Sequence, residues 1–288
     1  MESMKLYSSK CTFTKCKISF IFFFLLFAVH SSVFAISCDV RGIQKDAPFL
    51  CGNAIQGGFL FGQTDWNVTS SNSSATNKDG IFIIGLPMDA KDKLHLKFCK
   101  EKKCFSCDYK IKKQNYKKQR IEVDNEFIIY PPSVQKRIDR ENKNIMSKLD
   151  ELDFSFASFM NWKYPFKKKY PVTGCYGSRR VFNGLPKSPH KGFDIAAPKG
   201  TPVYAIGRGK VVLALNGFLI GKTVFISHGY GIFSAYFHLS KIKVEQGNIV
   251  SPDTIIGNVG ATGRVSGPHL HLGLYFGKIP IDAELLFD

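Results

Sequence analysis

The chain has 288 residues, of which 44% are hydrophobic, a composition that supports a packed core and excludes disorder throughout. The 40 Lys and Arg residues against 23 Asp and Glu residues give a formal net charge of +17. This excess says nothing about the fold, but it favours a polyanionic partner such as nucleic acid, anionic lipid or a cell-wall polymer. The length suits one large domain or two modest ones.

The N-terminus has the pattern of a secretory signal peptide. Four lysines precede an apolar run from Ile18 to Val29, and Val33 and Ala35 hold the small-residue positions before a cleavage site. The run is shorter than the ~20 apolar residues that span a bilayer. We therefore expect a signal peptide at residues 1–35 and export to the periplasm, the cell envelope or the medium. Export argues against a nucleic-acid partner and favours the cell envelope.

Six cysteines follow the expected cleavage site: Cys38, Cys51, Cys99, Cys104, Cys107 and Cys175. An even count in an exported chain indicates disulfides, although the connectivity does not follow from sequence. Cys99 and Cys104 flank an expected hairpin turn, which favours a local bridge. Two alternatives are left open. His95 with Cys99, Cys104 and Cys107 has the spacing of a structural zinc site, and Cys38 is a candidate for lipid modification.

Residues 36–130 have the composition of a small β-sandwich-like domain. Short runs rich in β-branched and aromatic residues, such as GGFLFGQT and GIFIIGLP, are separated by Gly, Asn, Ser and Asp. Their spacing is typical of a sandwich. Nothing in this stretch resembles a catalytic set of residues, so we expect an accessory domain.

The pattern becomes helical after Pro131 and Pro132. Apolar residues recur at helical spacing at Val134, Ile138, Ile145, Leu149 and Leu152. This predicts an amphipathic helix, capped by Ser133 and ending at Leu152, within a linker at residues 131–155. Amphipathic periodicity predicts burial, so a packed connector is the preferred interpretation. The alternative is an inhibitory element that lies over a cleft.

Residues 156–288 return to a β pattern without a long helix. Strands are predicted in TPVYAIGRGKVVLAL, KTVFISHG, FSAYFHLSKIKV and HLHLGLYF. Five of the seven histidines lie in the last hundred residues, at His190, His228, His238, His269 and His271. The concentration suggests that some of them converge on one site.

The spacing of these histidines is informative. In a strand, residues i and i+2 point to the same face, so His269 and His271 emerge side by side. His190 and Asp194 are four residues apart, which also puts two side chains on one face of a strand, and the GFDIA sequence between and after them disfavours a helix. His238 lies on another predicted strand.

Two imidazoles and one carboxylate are a known ligand set for catalytic Zn²⁺, with a fourth position left for water. The metal acidifies that water and polarises a scissile carbonyl. A further histidine can take the proton of the water or hold the developing oxyanion. Either motif alone is more typical of a satisfied core histidine. Their combination in one exported β domain favours metal-assisted amide hydrolysis.

The order of these motifs resembles the lysostaphin/LytM-type zinc endopeptidases of bacterial cell walls. The segments HKGFDIAAPKGTPVYA and GATGRVSGPHLHLG resemble the two signature segments of that family, and GSRR and YFHLS support the likeness. The similarity covers residues 172–281, about two fifths of the chain. It implies an antiparallel β-sheet with an open groove between loops and a metal at the groove floor.

By position, the resemblance makes His190, Asp194 and His271 the ligands of one Zn²⁺ in the peptidase domain. It makes His238 and His269 catalytic. One of these two is the general base and the other stabilises the tetrahedral intermediate, and the sequence does not distinguish them.

Two further residues lie within the matching region. His228 occupies a place where such proteins often carry histidine, but three ligands and two catalytic imidazoles already suffice, so we expect a supporting role. Cys175 lies in an early strand where a packing residue would serve, and a buried structural thiol is expected there.

The sequence thus predicts a mostly β protein with a peptidase domain at residues 156–288. The resemblance supplies the substrate class, the peptide cross-links or stem peptides of peptidoglycan, and the basic charge suits such an anionic polymer. Two alternatives are kept: a non-catalytic regulator that activates a partner wall hydrolase, and a broader secreted metalloprotease. Retention of every motif position favours an enzyme. Peripheral membrane association is left open.

Overall fold

The computed structural model describes residues 50–70, 74–78, 80–121, 130–151, 153, 161–186 and 188–287. The predicted signal peptide, Cys38 and Leu152 lie outside these residues. The described residues form 21 strands, one α-helix and a short 3-10 helix at Ala283–Leu286, which confirms the prediction of a mostly β fold. In this part of the chain, no helix combines the length and apolar character needed to cross a membrane.

Seven N-terminal strands build a sandwich. They are β1 (Cys51–Gly52), β2 (Phe59–Gln63), β3 (Asn67–Ser70), β4 (Ser74–Lys78), β5 (Ile81–Gly85), β6 (Lys93–Lys100) and β7 (Lys103–Lys110). One sheet has the order β1-β2-β5-β4 and the other has the order β3-β6-β7. Leu60 and Ile84 of the first sheet share a buried core with Leu96, Phe98 and Tyr109 of the second. The predicted sandwich-like architecture is therefore present.

The C-terminal half is built around one large antiparallel sheet. Its strands are β9 (Val172–Gly174), β12 (Gly192–Ile195), β14 (Gly209–Gly217), β15 (Gly221–Ser227), β16 (Ile232–Leu239), β18 (Ile249–Val250), β20 (Leu270–Phe276) and β21 (Ile279–Ile281). The order is β18-β14-β15-β16-β20-β12-β9, with β21 paired to β20. One face buries Val224, Tyr236 and Leu272 in the main core. The sheet matches the predicted fold of this region.

Two smaller sheets complete the architecture. One has the order β13-β19-β17, formed by β13 (Pro202–Tyr204), β17 (Lys241–Ile242) and β19 (Ile255–Asn258). The other has the order β11-β10-β8, formed by β8 (Lys118–Ile121), β10 (Arg179–Phe182) and β11 (Leu185–Pro186). Strand β8 leaves the sandwich and pairs in parallel with β10, so the two halves of the chain share a sheet.

The first sheet of the sandwich is buried on both faces. Leu60 and Ile84 face the sandwich core, whereas their neighbours Phe59 and Ile83 lie in the main core of the C-terminal half. Successive strand residues point to opposite faces, so both faces of β2 and β5 are apolar. Gly85 of β5 comes so close that a Cβ there would lie 2.7 Å from a phenylalanine side chain of β20. The sandwich is therefore docked against the large sheet.

Helix α1 (Pro132–Leu149) is the predicted amphipathic helix, ending three residues earlier than expected. The prediction that Ser133 caps it is wrong. Pro131 occupies the N-cap position without a side-chain bond, and a proline follows in the first turn. The fixed φ of proline suits the start of a helix, where its missing N–H has no partner to lose.

The buried side of α1 packs on the face of the large sheet opposite the main core. Ile145 and Leu149 share a buried cluster there with Leu213, Phe225 and Phe233. The helix is therefore a packed connector, as its periodicity predicts.

The structure corrects two expectations about cysteine. Cys99 and Cys104 are paired across the β6–β7 turn and form a disulfide. The alternative of a zinc site at these residues is therefore wrong, because two of its four donors are bonded to each other. Cys51 and Cys175 are also disulfide-bonded, so the expected thiol at Cys175 is wrong as well.

Replacing Leu149 with Ala should destabilise the protein by about 2–5 kcal/mol, because the side chain is 1% exposed and its loss leaves a cavity between α1 and the sheet. Met146→Ala on the same helix is the matched control. Met146 is 37% exposed, and its replacement should change the free energy of unfolding by no more than about 0.5 kcal/mol. Urea unfolding of the full chain measures both, and equal effects would contradict the packing of α1.

Candidate functional site

Neighbouring strands of the large sheet bring three donor groups together. Strand β12 pairs with β20 so that Asp194 lies opposite His271, and His190 comes from the segment just before β12. His190 Nε2 lies 3.1 Å from Asp194 Oδ1 and 2.9 Å from His271 Nδ1. His271 Nδ1 lies 2.7 Å from Asp194 Oδ1. The three residues expected as ligands thus form one cluster that could hold a metal ion.

The backbone orients the His190 ring. Its Nδ1 lies 3.0 Å from the carbonyl oxygen of Cys175. Because a carbonyl only accepts, Nδ1 carries the proton and donates it. Nε2 therefore presents a lone pair toward Asp194 and His271. Donation of the second ring nitrogen to a carbonyl is the usual arrangement of a histidine that binds metal.

Asp194 is ionised and held on both sides. Burial alone would raise the pKa of its carboxyl, but its contacts with the His190 and His271 rings outweigh burial and hold the pKa well below its ordinary value. The second oxygen, Oδ2, accepts a hydrogen bond from Arg180 Nη2 at 3.0 Å. The sequence shows Arg180 only as part of the GSRR segment, and its role is not predicted. The one indication of such a residue was the general rule that a buried charge, here the Asp194 carboxylate, needs a partner of opposite charge.

Strand β16 bulges where it reaches the site. Its register with β15 shifts so that Phe237 and His238 together oppose one residue of β15. His238 has a φ of 62°, in the left-handed region that residues other than glycine rarely adopt. Both rings lie near His271, at centroid distances of 4.9 Å for Phe237 and 6.1 Å for His238. A bulge re-aims side chains, and here it brings His238 to the site.

The two histidines expected to be catalytic face each other beside the donors. The rings of His238 and His269 lie 5.0 Å apart, and His269 Nε2 lies 3.8 Å from Asp194 Oδ1. Each Nδ1 donates to a backbone carbonyl at 2.9 Å, that of Thr262 and that of Gly267 respectively. Both Nε2 atoms therefore carry lone pairs, as a general base requires. Burial and the neighbouring imidazoles lower the pKa of His238 to about 3.

His228 is not part of this cluster. Its ring is fully buried, with Nδ1 2.8 Å from the Arg208 carbonyl and Nε2 2.7 Å from Ser234 Oγ. Ser234 Oγ lies 3.0 Å from the Tyr236 hydroxyl in turn. Burial lowers the pKa of His228 to about 4. The residue therefore belongs to a polar network inside the main core.

The model of peptidase family M23 matches residues 188–283, a stretch that contains the three donors and both facing histidines. Residues 188–283 are a peptidase family M23 domain. This confirms the family resemblance expected from the sequence.

Known relatives and structures agree with the M23 assignment. Peptidoglycan DD-endopeptidase ShyA of Vibrio cholerae is 42% identical over 122 residues, which are 42% of this chain and 28% of ShyA. An uncharacterized metalloprotease of Buchnera aphidicola is 31% identical over 202 residues, 67% of this chain and 52% of that protein. The chain thus spans about a quarter to a half of the length of these relatives.

A solved structure of peptidase M23 from Pseudomonas aeruginosa is similar over more than the M23 domain. It matches with a TM-score of 0.63 and 25% identity, covering 81% of this chain and 95% of that one. The shared fold therefore includes part of the chain that precedes the M23 domain.

The buried His228 should make stability depend on pH. Its pKa is about 4 in the folded protein against 6.5 ordinarily, so between these values the unfolded chain binds a proton that the folded chain does not. The contribution of His228 to the free energy of unfolding should fall by about 3 kcal/mol as pH drops through this window.

His228→Gln keeps hydrogen-bonding groups at this position but cannot titrate. Between pH 6.5 and 4, the free energy of unfolding of this variant should fall less steeply than that of the wild type. The difference between the two slopes should be roughly 1.4 kcal/mol per pH unit. Urea unfolding in chelator across this range measures both proteins. Parallel profiles would show that His228 is not held neutral by burial.

Proposed function

We propose that the chain is an exported, zinc-dependent endopeptidase that hydrolyses peptide cross-links or stem peptides of bacterial peptidoglycan. The convergence of His190, Asp194 and His271, with His238 and His269 beside them, carries this proposal. The similarity of the M23 domain to a peptidoglycan DD-endopeptidase supports the substrate class. The N-terminal sequence pattern supports export. The net charge is +17 for the full chain and +14 without residues 1–35, which hold four Lys and one Glu, and this excess suits an anionic wall polymer.

The donor set fits zinc. Two imidazole nitrogens and one carboxylate oxygen, with a position left for water, are typical of catalytic zinc. Zinc–ligand bonds of about 2.0–2.2 Å place neighbouring ligand atoms roughly 3.3 Å apart. The separations of 2.7, 2.9 and 3.1 Å need to widen only slightly. His190 would bind through Nε2, His271 through Nδ1 and Asp194 through Oδ1.

When bound, zinc supplies the Lewis acidity that activates water and polarises the scissile carbonyl. The residues of the chain move the protons. His238 and His269 present Nε2 lone pairs beside the donor cluster, and their bonds to Thr262 and Gly267 fix the tautomer and the ring orientation. One of the two rings can accept a proton at Nε2 and later donate it to the leaving amine, while the other stabilises the tetrahedral intermediate.

Digestion of purified peptidoglycan sacculi by residues 36–288 tests the proposal. Cross-linked fragments should fall to monomers, chelation should stop the reaction, and added zinc should restore it. His269→Ala should lower the rate about 10²–10⁴-fold, because it removes proton transfer. His95→Ala is the matched control, since His95 lies in the sandwich and pairs with Asp108.

Fragment masses from this digestion would name the bond. Sacculi left intact by a folded, zinc-loaded protein would sink the endopeptidase proposal and favour the regulator alternative. Chelator-resistant cleavage would sink the role of the metal.

Arg180→Gln should weaken zinc binding about 10–100-fold, because the hydrogen bond that holds Asp194 Oδ2 would be lost. Competition with a chromogenic chelator measures the affinity directly, without turnover. Arg140→Gln, on the exposed side of α1, is the control and should bind zinc like the wild type. Equal affinities in all three proteins would show that Arg180 does not position the ligand.

A further inference from the structure

A cavity of about 1060 Å³ lies between the N-terminal sandwich and the C-terminal half of the chain. Its wall includes six cationic side chains: Lys91, Lys113, Lys118, Arg179, Arg180 and Lys191. Two carboxylates also line it, those of Asp89 and Asp92. Both halves of the chain contribute cations, so the positive charge is a property of the docked arrangement.

The positive charge in this cavity is only partly balanced by the described residues. Apart from Arg180, the cations that line it form no ion pair with a carboxylate within the described residues. In the same part of the chain, Gln114 Nε2 and Arg180 Nε are buried without a hydrogen-bond partner, and both residues line the cavity. Buried polar atoms normally have partners. Two such donors beside unpaired cations indicate an anionic ligand.

Arg180 connects the cavity to the metal centre. It lines the cavity and donates through Nη2 to Asp194 Oδ2. Lys191 follows directly after His190, so a second lining residue adjoins a donor of the cluster. A ligand in the cavity would therefore lie next to the place where the scissile peptide is held.

The rest of the wall suits a peptide. Tyr116, Tyr176, Met88 and Pro186 supply apolar surface. The volume is slightly above the roughly 300–1000 Å³ typical of ligand sites. Guanidinium and ammonium groups bind carboxylates through charge-assisted hydrogen bonds. A cationic ligand is disfavoured by the excess of six cations over two carboxylates.

We propose that this cavity binds the free carboxylates of a peptidoglycan stem peptide while the adjoining peptide bond lies at the metal centre. This inference rests on the proposed function, because the stem peptide is the substrate proposed there. The cavity would thereby select stem peptides with free carboxylates over those whose carboxylates are amidated. Docking of the sandwich would complete the substrate site.

Calorimetry with the zinc-loaded residues 36–288 tests this without turnover. The probes are a disaccharide-tetrapeptide monomer and the same monomer with its carboxylates converted to amides. The wild type should bind the amide form at least tenfold more weakly. The double variant Lys113→Glu/Arg179→Glu should bind the carboxylate form at least tenfold more weakly than the wild type does. It should bind the carboxylate and amide forms with equal affinity. It should also keep its zinc.

The control Lys102→Glu/Arg140→Glu makes the same change of charge at exposed residues that do not line the cavity, and it should bind both probes like the wild type. Lys113→Gln/Arg179→Gln, a milder change, should give an intermediate loss and guards against misfolding of the reversed variant. When a cross-linked peptidoglycan dimer is the substrate, the KM of Lys113→Glu/Arg179→Glu should be higher than that of the wild type, and its kcat should be unchanged.

Equal affinity of the wild type for the carboxylate and amide probes would overturn the proposal. So would equal losses of affinity in Lys113→Glu/Arg179→Glu and in the control Lys102→Glu/Arg140→Glu. So would displacement of the probe by inorganic phosphate at far lower concentration than by acetate, since that marks a phosphate site. If the protein binds the carboxylate monomer selectively but leaves sacculi intact, the cavity proposal stands and the proposed function is wrong. If it cleaves sacculi but binds both probes equally, the proposed function stands and the cavity proposal is wrong.

Discussion

The register among β12, β20 and β16 is the constraint on which the candidate metal site depends. Asp194 lies opposite His271, and His271 lies opposite Phe237 on the other side. A slip of one residue would turn one of these side chains into the main core. Ile195 and Leu272, both fully buried behind the sheet, resist such a slip. The chemistry on one face is thus aligned by hydrophobic packing on the other.

Alternation along strands predicted much of this site but not all of it. It placed Asp194 and His271 on extended segments, and their convergence followed from the family pattern. It could not place His238, because a bulge and a left-handed φ turn that side chain to the site. Bulges depend on pairing with a neighbouring strand, which no local pattern encodes. Arg180 was missed for a similar reason, since its partner Asp194 comes from another strand.

The docking of the N-terminal sandwich could have been predicted from two of its strands. The runs FLF and IFII in β2 and β5 are apolar at consecutive positions, which is typical of strands covered on both sides. That pattern alone indicates that the sandwich packs against another layer of the protein and is not merely tethered to it by a linker. The parallel pairing of β8 with β10 was beyond prediction, because KQRI and RRVF are short, at least half of their residues are polar or charged, and they meet only through the tertiary fold.

The family match and the packed structure of the C-terminal half begin at different points in the chain. The family pattern begins at residue 188, whereas the apolar face formed by Leu213, Phe225 and Phe233 is covered by a helix that ends at Leu149. A fragment cut at residue 156 would bare that face, together with the surface that holds Phe59 and Ile83. Exposed apolar patches of this kind drive self-association. The residues that match the family are therefore fewer than the residues that cover the apolar faces of the large sheet.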